Sequence, residues 1–368
     1  MTERRLRVGI IFGGRSGEHE VSVRSARGIL GALDPARFDP VLIGIDRGGG
    51  WQLIEPRALL ATASEQAEQA VVGQGALVRA RDSLESLERS AVADLGGRFG
   101  VDVFFPIVHG TLGEDGALQG LLEMAGAPYV GCGVLGSAVG MDKDVSKRLL
   151  RDAGLPVVDF LVARAERSPG PELAQRVEAE LGFPCFVKPA NLGSSVGVVK
   201  VRSRADFAPA LAQAFRFDRK VLIERAIDAR EVETAVLGGT EPAVSLPGEI
   251  VPRHEFYSYE AKYLDPEGAE LLVPAPLSAE QTRQVQGLSL RAFEVLELEG
   301  LARVDFFLER GSDRWFVNEV NTLPGFTEVS MYARMWQASG LSYRELVTRL
   351  IELGIARFEA RRALAVER

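Results

Sequence analysis

Two segments, LARVDFFLE (residues 301–309) and RWFVNEVN (residues 314–321), concentrate hard oxygen donors in a pattern that a β-sheet would make useful. Side chains alternate along a strand, so Arg303 and Asp305 share one face, and Glu319 and Asn321 share one on the next strand. A three-residue hairpin loop at 311–313 pairs Arg310 with Arg314. That register sets Asp305 opposite Glu319 and Arg303 opposite Asn321, with Val304, Phe306, Val317 and Val320 filling the other side. Two carboxylates and an amide oxygen suit Mg²⁺ bound together with a polyphosphate. The alternative is a polar face in water balanced by Arg303. It is disfavoured because Asn321 opens an NTLPG turn, which a merely solvated strand has no need of.

A second group lies in FVKPANLGSSVGVVKV (186–201), a strand, a glycine-serine turn and another strand. Backbone amides in such a turn can point at phosphate oxygens, Ser194 and Ser195 add hydroxyl donors, and Lys188 supplies charge from the end of the first strand. An ordinary hairpin turn is the alternative, and the run is not a Walker P-loop, which needs GxxxxGK[ST] between a strand and a helix. The third group is GGRSGEHEVS (13–22), where Glu18 sits near a helix start. A carboxylate there either complements the helix end or anchors an ammonium group. His19 and His109 are the nearest candidates for catalytic histidines, but each reads better as a satisfied polar residue, and three histidines without partners at ligand spacing make no zinc site.

GCGVLG (131–136) matches GxGxxG and is followed by helical sequence, which suggests a nicotinamide dinucleotide fold as runner-up. The strand before it is only three residues long, and Asp152, at about the right distance, falls inside the next helix instead of at a strand end.

The elements that must carry these groups change character along the chain. Residues 1–140 alternate strand and helix: strands at 6–12, 40–45 and 103–108, helices at 20–33 and 117–125. Residues 52–98 are charged and alanine-rich with little strand character, and no chemistry is evident in them. From residue 141 a helix at 143–153 leads into short strands at 157–162, 185–188, 196–201 and 221–224. Residues 247–276 hold five prolines and no clear helix or strand period, as expected of a lid. A helix at 279–296, the two donor-bearing strands and two final helices complete the chain.

Composition limits the options. The chain has 368 residues, 46% hydrophobic and 26% charged, ordinary values for a folded chain of two or three domains. A net charge of −8 argues against a broad electrostatic footprint for nucleic acid or an anionic membrane. Cys132 and Cys185 are too few for a disulfide framework, the N-terminal apolar run is too short for a signal peptide, and no stretch spans a bilayer. A cytoplasmic location is expected. Only six of the 43 basic residues are lysines: Lys143, Lys147, Lys188, Lys200, Lys220 and Lys262. Lys143, Lys188 and Lys262 fall inside motifs, and Lys147, Lys200 and Lys220 are expected at the surface.

Taken in order, GGRSGEHEVS, HGTLGEDG, MDK, FVKPANLGSSVG, REVE, EAKY, RVDF and NEVNTLPGFT resemble the ATP-grasp ligases and, within them, the D-alanine–D-alanine ligases. The resemblance spans nearly the whole chain. It implies an α/β and α+β fold: an N-terminal Rossmann-like, substrate-binding domain (1–140), a central ATP-grasp subdomain (141–226) and a C-terminal one (227–368) with its lid at 247–276. It implies an ADP-forming, Mg²⁺-dependent ligase, with Mn²⁺ able to substitute, that supplies the dipeptide of peptidoglycan and forms a homodimer. By the same resemblance, Lys143, Lys188, Ser194 and Ser195 contact ATP phosphates, Glu224 and Ile227 face the adenine, and Glu231 the ribose. Asp305, Glu319 and Asn321 hold two Mg²⁺. Glu18 takes the ammonium of the first D-alanine, His109 belongs to the substrate site, and Lys262 and Ser330 meet the carboxylate of the second. Arg303 and the Gly325 amide stabilise the oxyanion, while Tyr263 and Ser194, bonded with Glu18, close the lid.

Two further readings compete. A D-alanine–D-lactate ligase shares almost every motif, but in the resembling families a histidine marks the lactate-forming type where EAKY has Tyr263, so EAKY favours alanine. A catalytically dead ATP-binding regulator is expected to lack a metal ligand or Lys188, and none is missing.

Overall fold

The computed structural model describes residues 4–61, 95–167, 171–253 and 268–364. Its first sheet has the order β3-β2-β1-β4, from β1 (Leu6–Gly13), β2 (Phe38–Ile45), β3 (Trp51–Ile54) and β4 (Val103–Pro106). β1 runs parallel to both β2 and β4, which requires helical crossovers and buries both faces. The near-continuous apolar run of β1 reflects this. β3, antiparallel to β2, departs from the expectation of little strand character in residues 52–98. A four-residue edge strand with half-exposed Leu53 leaves almost no periodic signal.

Helices follow in chain order: α1 (His19–Ala32), α2 (Pro56–Ala61), α3 (Leu95–Phe99), α4 (Ala117–Met124), α5 (Val134–Met141), α6 (Lys143–Asp152), α7 (Pro171–Glu180), α8 (Arg204–Ala214), α9 (Ala279–Val295), α10 (Met331–Ala338) and α11 (Tyr343–Arg362). On one face of the first sheet, Val8, Ile10, Phe12 and Phe105 share a core with Val23 and Ile29 of α1 and with Leu346, Val347, Leu350 and Ile351 of α11. On the other face, Ile11, Ile43 and Phe104 pack with Leu118 and Leu122 of α4.

The second sheet is antiparallel, in the order β5-β8-β6-β7: β5 (Phe160–Arg164), β6 (Cys185–Pro189), β7 (Val199–Val201) and β8 (Lys220–Arg225). Its core draws only on residues between 161 and 223, including Val187, Ile223, Phe207 and Leu211.

The third sheet has β9 (Ala229–Gly238), β10 (Ala243–Val244), β11 (Gly248–Pro252), β12 (Ala269–Leu272), β13 (Gly300–Glu309) and β14 (Trp315–Asn321), in the order β12-β11-β9-β13-β14 with β10 also on β9. Strands β11 and β12 occupy both ends of the segment expected to be a lid without strands. Pro247 and Pro252 bracket β11, so the prolines that obscured the strand in the sequence also end it.

Asp305 pairs with Glu319 and Arg303 with Asn321, as the sequence predicts, although the hairpin differs. The last pair is closed by Glu309 N–H donating to Arg314 O at 2.9 Å, one residue earlier on β13 than expected, so the loop holds four residues, 310–313. A bulge between Asp305 and Phe306 then absorbs the difference. It also places Val317, which strict alternation from Glu319 would turn to the carboxylate face, in the core with Val304, Phe306 and Val320.

The GCGVLG run serves packing. A side chain on Gly136 would meet Glu297 O at 2.6 Å, and Gly300 lies similarly against the Gly131 backbone.

Candidate active site

Between the second and third sheets lies a cleft of about 570 Å³ whose walls include Lys143, Lys188, Ser195, Glu224, Ile227, Glu231 and Glu319. Phe186, Phe307 and Ile250 give it apolar surface, and Lys200 lies over the Phe186 ring at 5.9 Å. A slot with flat apolar walls and a cationic end suits a nucleotide.

Of the donor set of β13 and β14, Glu319 lines the charged end of the cleft, and Asp305 and Asn321 lie beyond its wall in the same pair of strands. Arg303 makes two hydrogen bonds to Asp305, 2.7 and 2.8 Å, and lies 3.2 Å from Glu233. Asn321 Nδ2 donates to Asp305 Oδ2 at 3.0 Å, so these two side chains fit one coordination sphere. Glu319 is paired with Lys143 at 3.1 Å. Burial alone would lower the Lys143 ammonium, but Glu319 beside it holds it above the usual lysine value. Among the described residues no three His, Cys, Asp or Glu side chains converge on a metal position. Two carboxylates and an amide on one face instead suit an ion that takes its remaining ligands from phosphate and water, the habit of Mg²⁺.

Three lysines are placed by α6 and β6. Asp142 caps α6 by accepting from the Asp144 and Val145 amides, both at 3.1 Å, and the Lys143 amide donates to Ala190 O at the end of β6. Lys220 on β8 clamps the same helix end through Asp142 at 2.5 Å and Asp144 at 3.1 Å. Lys143 Nζ donates to Leu192 O, 2.8 Å away in the glycine-serine turn. One helical turn on, Lys147 lies 3.2 Å from Glu224, whose other oxygen is 2.5 Å from Lys188.

The surface expectation for Lys147, Lys200 and Lys220 is therefore corrected. Lys147 is 1% exposed, Lys220 is buried, and Lys200 lines the cleft. The sequence offered only the i, i+4 spacing of Lys143 and Lys147; their carboxylate partners come from distant segments. Asn318 was missed too. The bulge turns it toward the cleft, where its side-chain oxygen is 3.5 Å from Lys188 Nζ.

At the edge facing the first sheet, Ser194 donates a hydrogen bond to Glu18 at the start of α1, the contact anticipated for these two residues. Ser194 and Ser195 have left-handed backbone, φ 52° and 58°, which turns the loop back toward Lys143. Glu114, not singled out from the sequence, is half-buried close by and accepts from the Gly110 amide at 2.8 Å. Burial, and then the neighbouring Glu18, push its carboxyl well above the usual range.

His109 does not offer itself to a substrate. Its Nδ1–H donates to Leu323 O at 2.9 Å and its Nε2 accepts from Ser25 at 3.1 Å, so both ring nitrogens serve the protein. His19 is similarly engaged by Gly14 O. Through Ser25, which also accepts from the Phe326 amide at 3.2 Å, His109 fixes the loop bearing Gly325. Gly325 and Ser330 line a neighbouring hollow with Arg24 and Tyr343, and Ser330 is held by Thr327 at 2.8 Å. Lys262 and Tyr263 lie outside the described residues.

Comparison with known proteins agrees with this geometry. The family described as D-ala D-ala ligase N-terminus matches residues 7–132, and D-ala D-ala ligase C-terminus matches 149–352. The chain is 50% identical to D-alanine–D-alanine ligase A of Chromobacterium violaceum and 48% identical to that of Escherichia coli K12, in each case over 98% of both chains. Among solved structures it is similar to the D-alanine-D-alanine ligase from Coxiella burnetii, with TM-score 0.81, 37% identity and coverage of 97% and 96% of the two chains. It is also similar to the VanG D-Ala:D-Ser ligase from Enterococcus faecalis, with TM-score 0.80, 32% identity and coverage of 95% and 100%. Matched over nearly its whole length in sequence and in fold, the chain belongs to the D-alanine–D-alanine ligase family, with its ATP-grasp architecture.

Proposed function

We propose that this protein joins two D-alanines into D-alanyl-D-alanine for peptidoglycan, converting ATP to ADP and phosphate (EC 6.3.2.4). The observation that carries this reading is the set of Asp305, Glu319 and Asn321 on one sheet face, within reach of Lys143 at the charged end of the cleft. The division of labour is residues 1–140 for substrate, 141–226 and 227–368 for ATP, and 247–276 as the lid.

A carboxylate is a poor electrophile, so a carboxylate oxygen of the first D-alanine attacks the γ-phosphorus and the bond to the ADP oxygen breaks. The neutral amine of the second D-alanine then attacks the acyl carbon, and the carbon–oxygen bond to phosphate breaks as the amide forms. Lys143, Lys188, Ser194 and Ser195 hold the phosphates, Glu224 and Ile227 the adenine, and Glu231 the ribose. Asp305, Glu319 and Asn321 hold two Mg²⁺, or Mn²⁺ in their place, which when bound supply neutralisation of phosphate charge. Glu18 anchors the first ammonium. Lys262 and Ser330 take the second carboxylate. Arg303, kept rigid by Asp305 and Glu233, and the Gly325 amide face the developing oxyanion. Tyr263, with Ser194 and Glu18, shuts out water that would hydrolyse the acyl phosphate. The working form is a cytoplasmic homodimer.

An assay of ADP and phosphate release with ATP, Mg²⁺ and D-alanine tests this, repeated with L-alanine and with D-lactate or D-serine as second substrate. Release with D-alanine alone is expected. Equal turnover with L-alanine, or none with either, overturns the reading, and faster turnover with D-lactate or D-serine reassigns the second substrate.

A further inference from the structure

Glu224 is a buried carboxylate with one cation on each oxygen. Lys188, on the cleft wall, is 2.5 Å from Oε2, and Lys147, sealed behind the wall, is 3.2 Å from Oε1. The Lys147 ion pair lacks hydrogen-bond alignment, and neither Nζ nor Oε1 has another hydrogen-bond partner. On the reading above, Lys188 must reach an ATP phosphate, and turning to it means giving up the contact with Glu224. If Lys188 were the sole counterion, its departure would leave a buried carboxylate unpaired, which is strongly unfavourable.

We propose that Lys147 is a positioning residue that stays with Glu224 and thereby frees Lys188 for the nucleotide phosphates. This rests on the nucleotide reading of the cleft. Several observations favour it. Lys147 has no path to a ligand, since it is 1% exposed and absent from the cleft wall, so direct phosphate contact is not its role. Its backbone belongs to α6, whose first turn is clamped by Lys220 and Asp142, so it cannot follow Lys188 outward. Burial pulls the Lys147 ammonium below its usual value while Glu224 opposes, and burial pushes the Glu224 carboxyl up while Lys147 and then Lys188 hold it below its usual range. Each charge is thus maintained by the other, with Lys188 as the member that can leave.

The test is calorimetric titration of ADP with Mg²⁺, and separately of adenosine, into four proteins: unsubstituted, Lys147→Met, Glu224→Gln and the double variant. Lys147→Met makes Lys188 the only partner of Glu224. It should weaken ADP at least tenfold and adenosine less than threefold, and raise the KM for ATP without a matching change in the KM for D-alanine. Adding Glu224→Gln releases Lys188, so the double variant should bind ADP within about threefold of Glu224→Gln alone. Equal losses for ADP and adenosine, or additive effects of the two substitutions, overturn the proposal. If Lys147→Met does not fold, Lys147→Gln replaces it, and a more than threefold gap between the double variant and Glu224→Gln is equally fatal. An unsubstituted protein that binds no ADP refutes the nucleotide reading instead.

Discussion

At the scale of single residues, the site consists of charges held by opposite charges. Replacing Glu319 with Gln keeps its shape but removes both a hard donor and the partner of Lys143, so ADP release with D-alanine should fall at least a thousandfold while the melting temperature changes little. Arg303→Met is different, because it removes the only guanidinium bonded to buried Asp305 among the described residues and leaves it the Asn321 amide. Leaving a buried charge unpaired costs about 3–5 kcal/mol. Both catalysis and denaturant midpoint should drop, and a variant that lost only activity would show that Arg303 carries no structural load. Asp305, Glu319 and Asn321 were legible because alternation along a strand is a local rule. Lys147 and Glu114 were not legible, since what makes each unusual is a partner brought in from another segment. His109 shows the converse. Its residue type suggested chemistry, and only its hydrogen bonds reveal a support for the Leu323–Phe326 loop.

At the scale of elements, the strands and helices expected from periodicity appear within a few residues of their places, but the central strand β9 and helices α7 and α8 were not among them, and the other strands missed are short. β3, β11 and β12 are short or flanked by proline, where periodicity has too few residues to register. The β13–β14 hairpin is instructive. Its functional pairs match expectation although its turn does not, because a bulge offsets the turn by one residue. Docking of α6 is a second element-scale dependence. Lys220→Met removes the cation shared by Asp142 and Asp144, so α6 should loosen and carry Lys143 and Lys147 with it. Asp144 keeps Arg148 and Asp142 keeps the helix-end amides, so a fall of about 1.5–3 kcal/mol in stability is expected, together with weaker ADP binding measured by titration. Gly136→Val tests the packing role of the glycine-rich run. Its new side chain meets the Glu297 carbonyl, so stability should drop by about 1–3 kcal/mol while the KM for ATP in the folded fraction stays within twofold.

At the scale of the molecule, pH acts through groups whose titration differs between folded and unfolded chains. Burial holds the His109 imidazole below its usual value. The unfolded chain therefore binds the proton first as pH falls below about 6.5, and stability drops from there toward the folded value, by at most about 1.4 kcal/mol per pH unit. Glu224, also held low, adds the same sign further down, below about pH 4.5. Glu114, held well above the usual carboxylate range, acts with the opposite sign over the same interval, because the folded chain binds its proton first. The readout is therefore a difference: between pH 7.5 and 5.5, denaturation curves of His109→Gln should show a smaller loss, or a larger gain, than those of the natural protein, and an equal change in both would exclude a contribution from His109.

The distribution of cores has a further consequence, for the order in which the chain acquires structure during synthesis. The central sheet closes its core from residues 161–223 alone, so it can fold as soon as that stretch clears the ribosome. The first sheet, although made before it, shares a core with Leu346, Val347, Leu350 and Ile351 of α11, so the face on which α1 packs stays only partly covered until α11 has been made. The strands of the first sheet are therefore finished after those of the second, and a nascent chain halted before residue 343 should engage chaperones through its first sheet and not through its second.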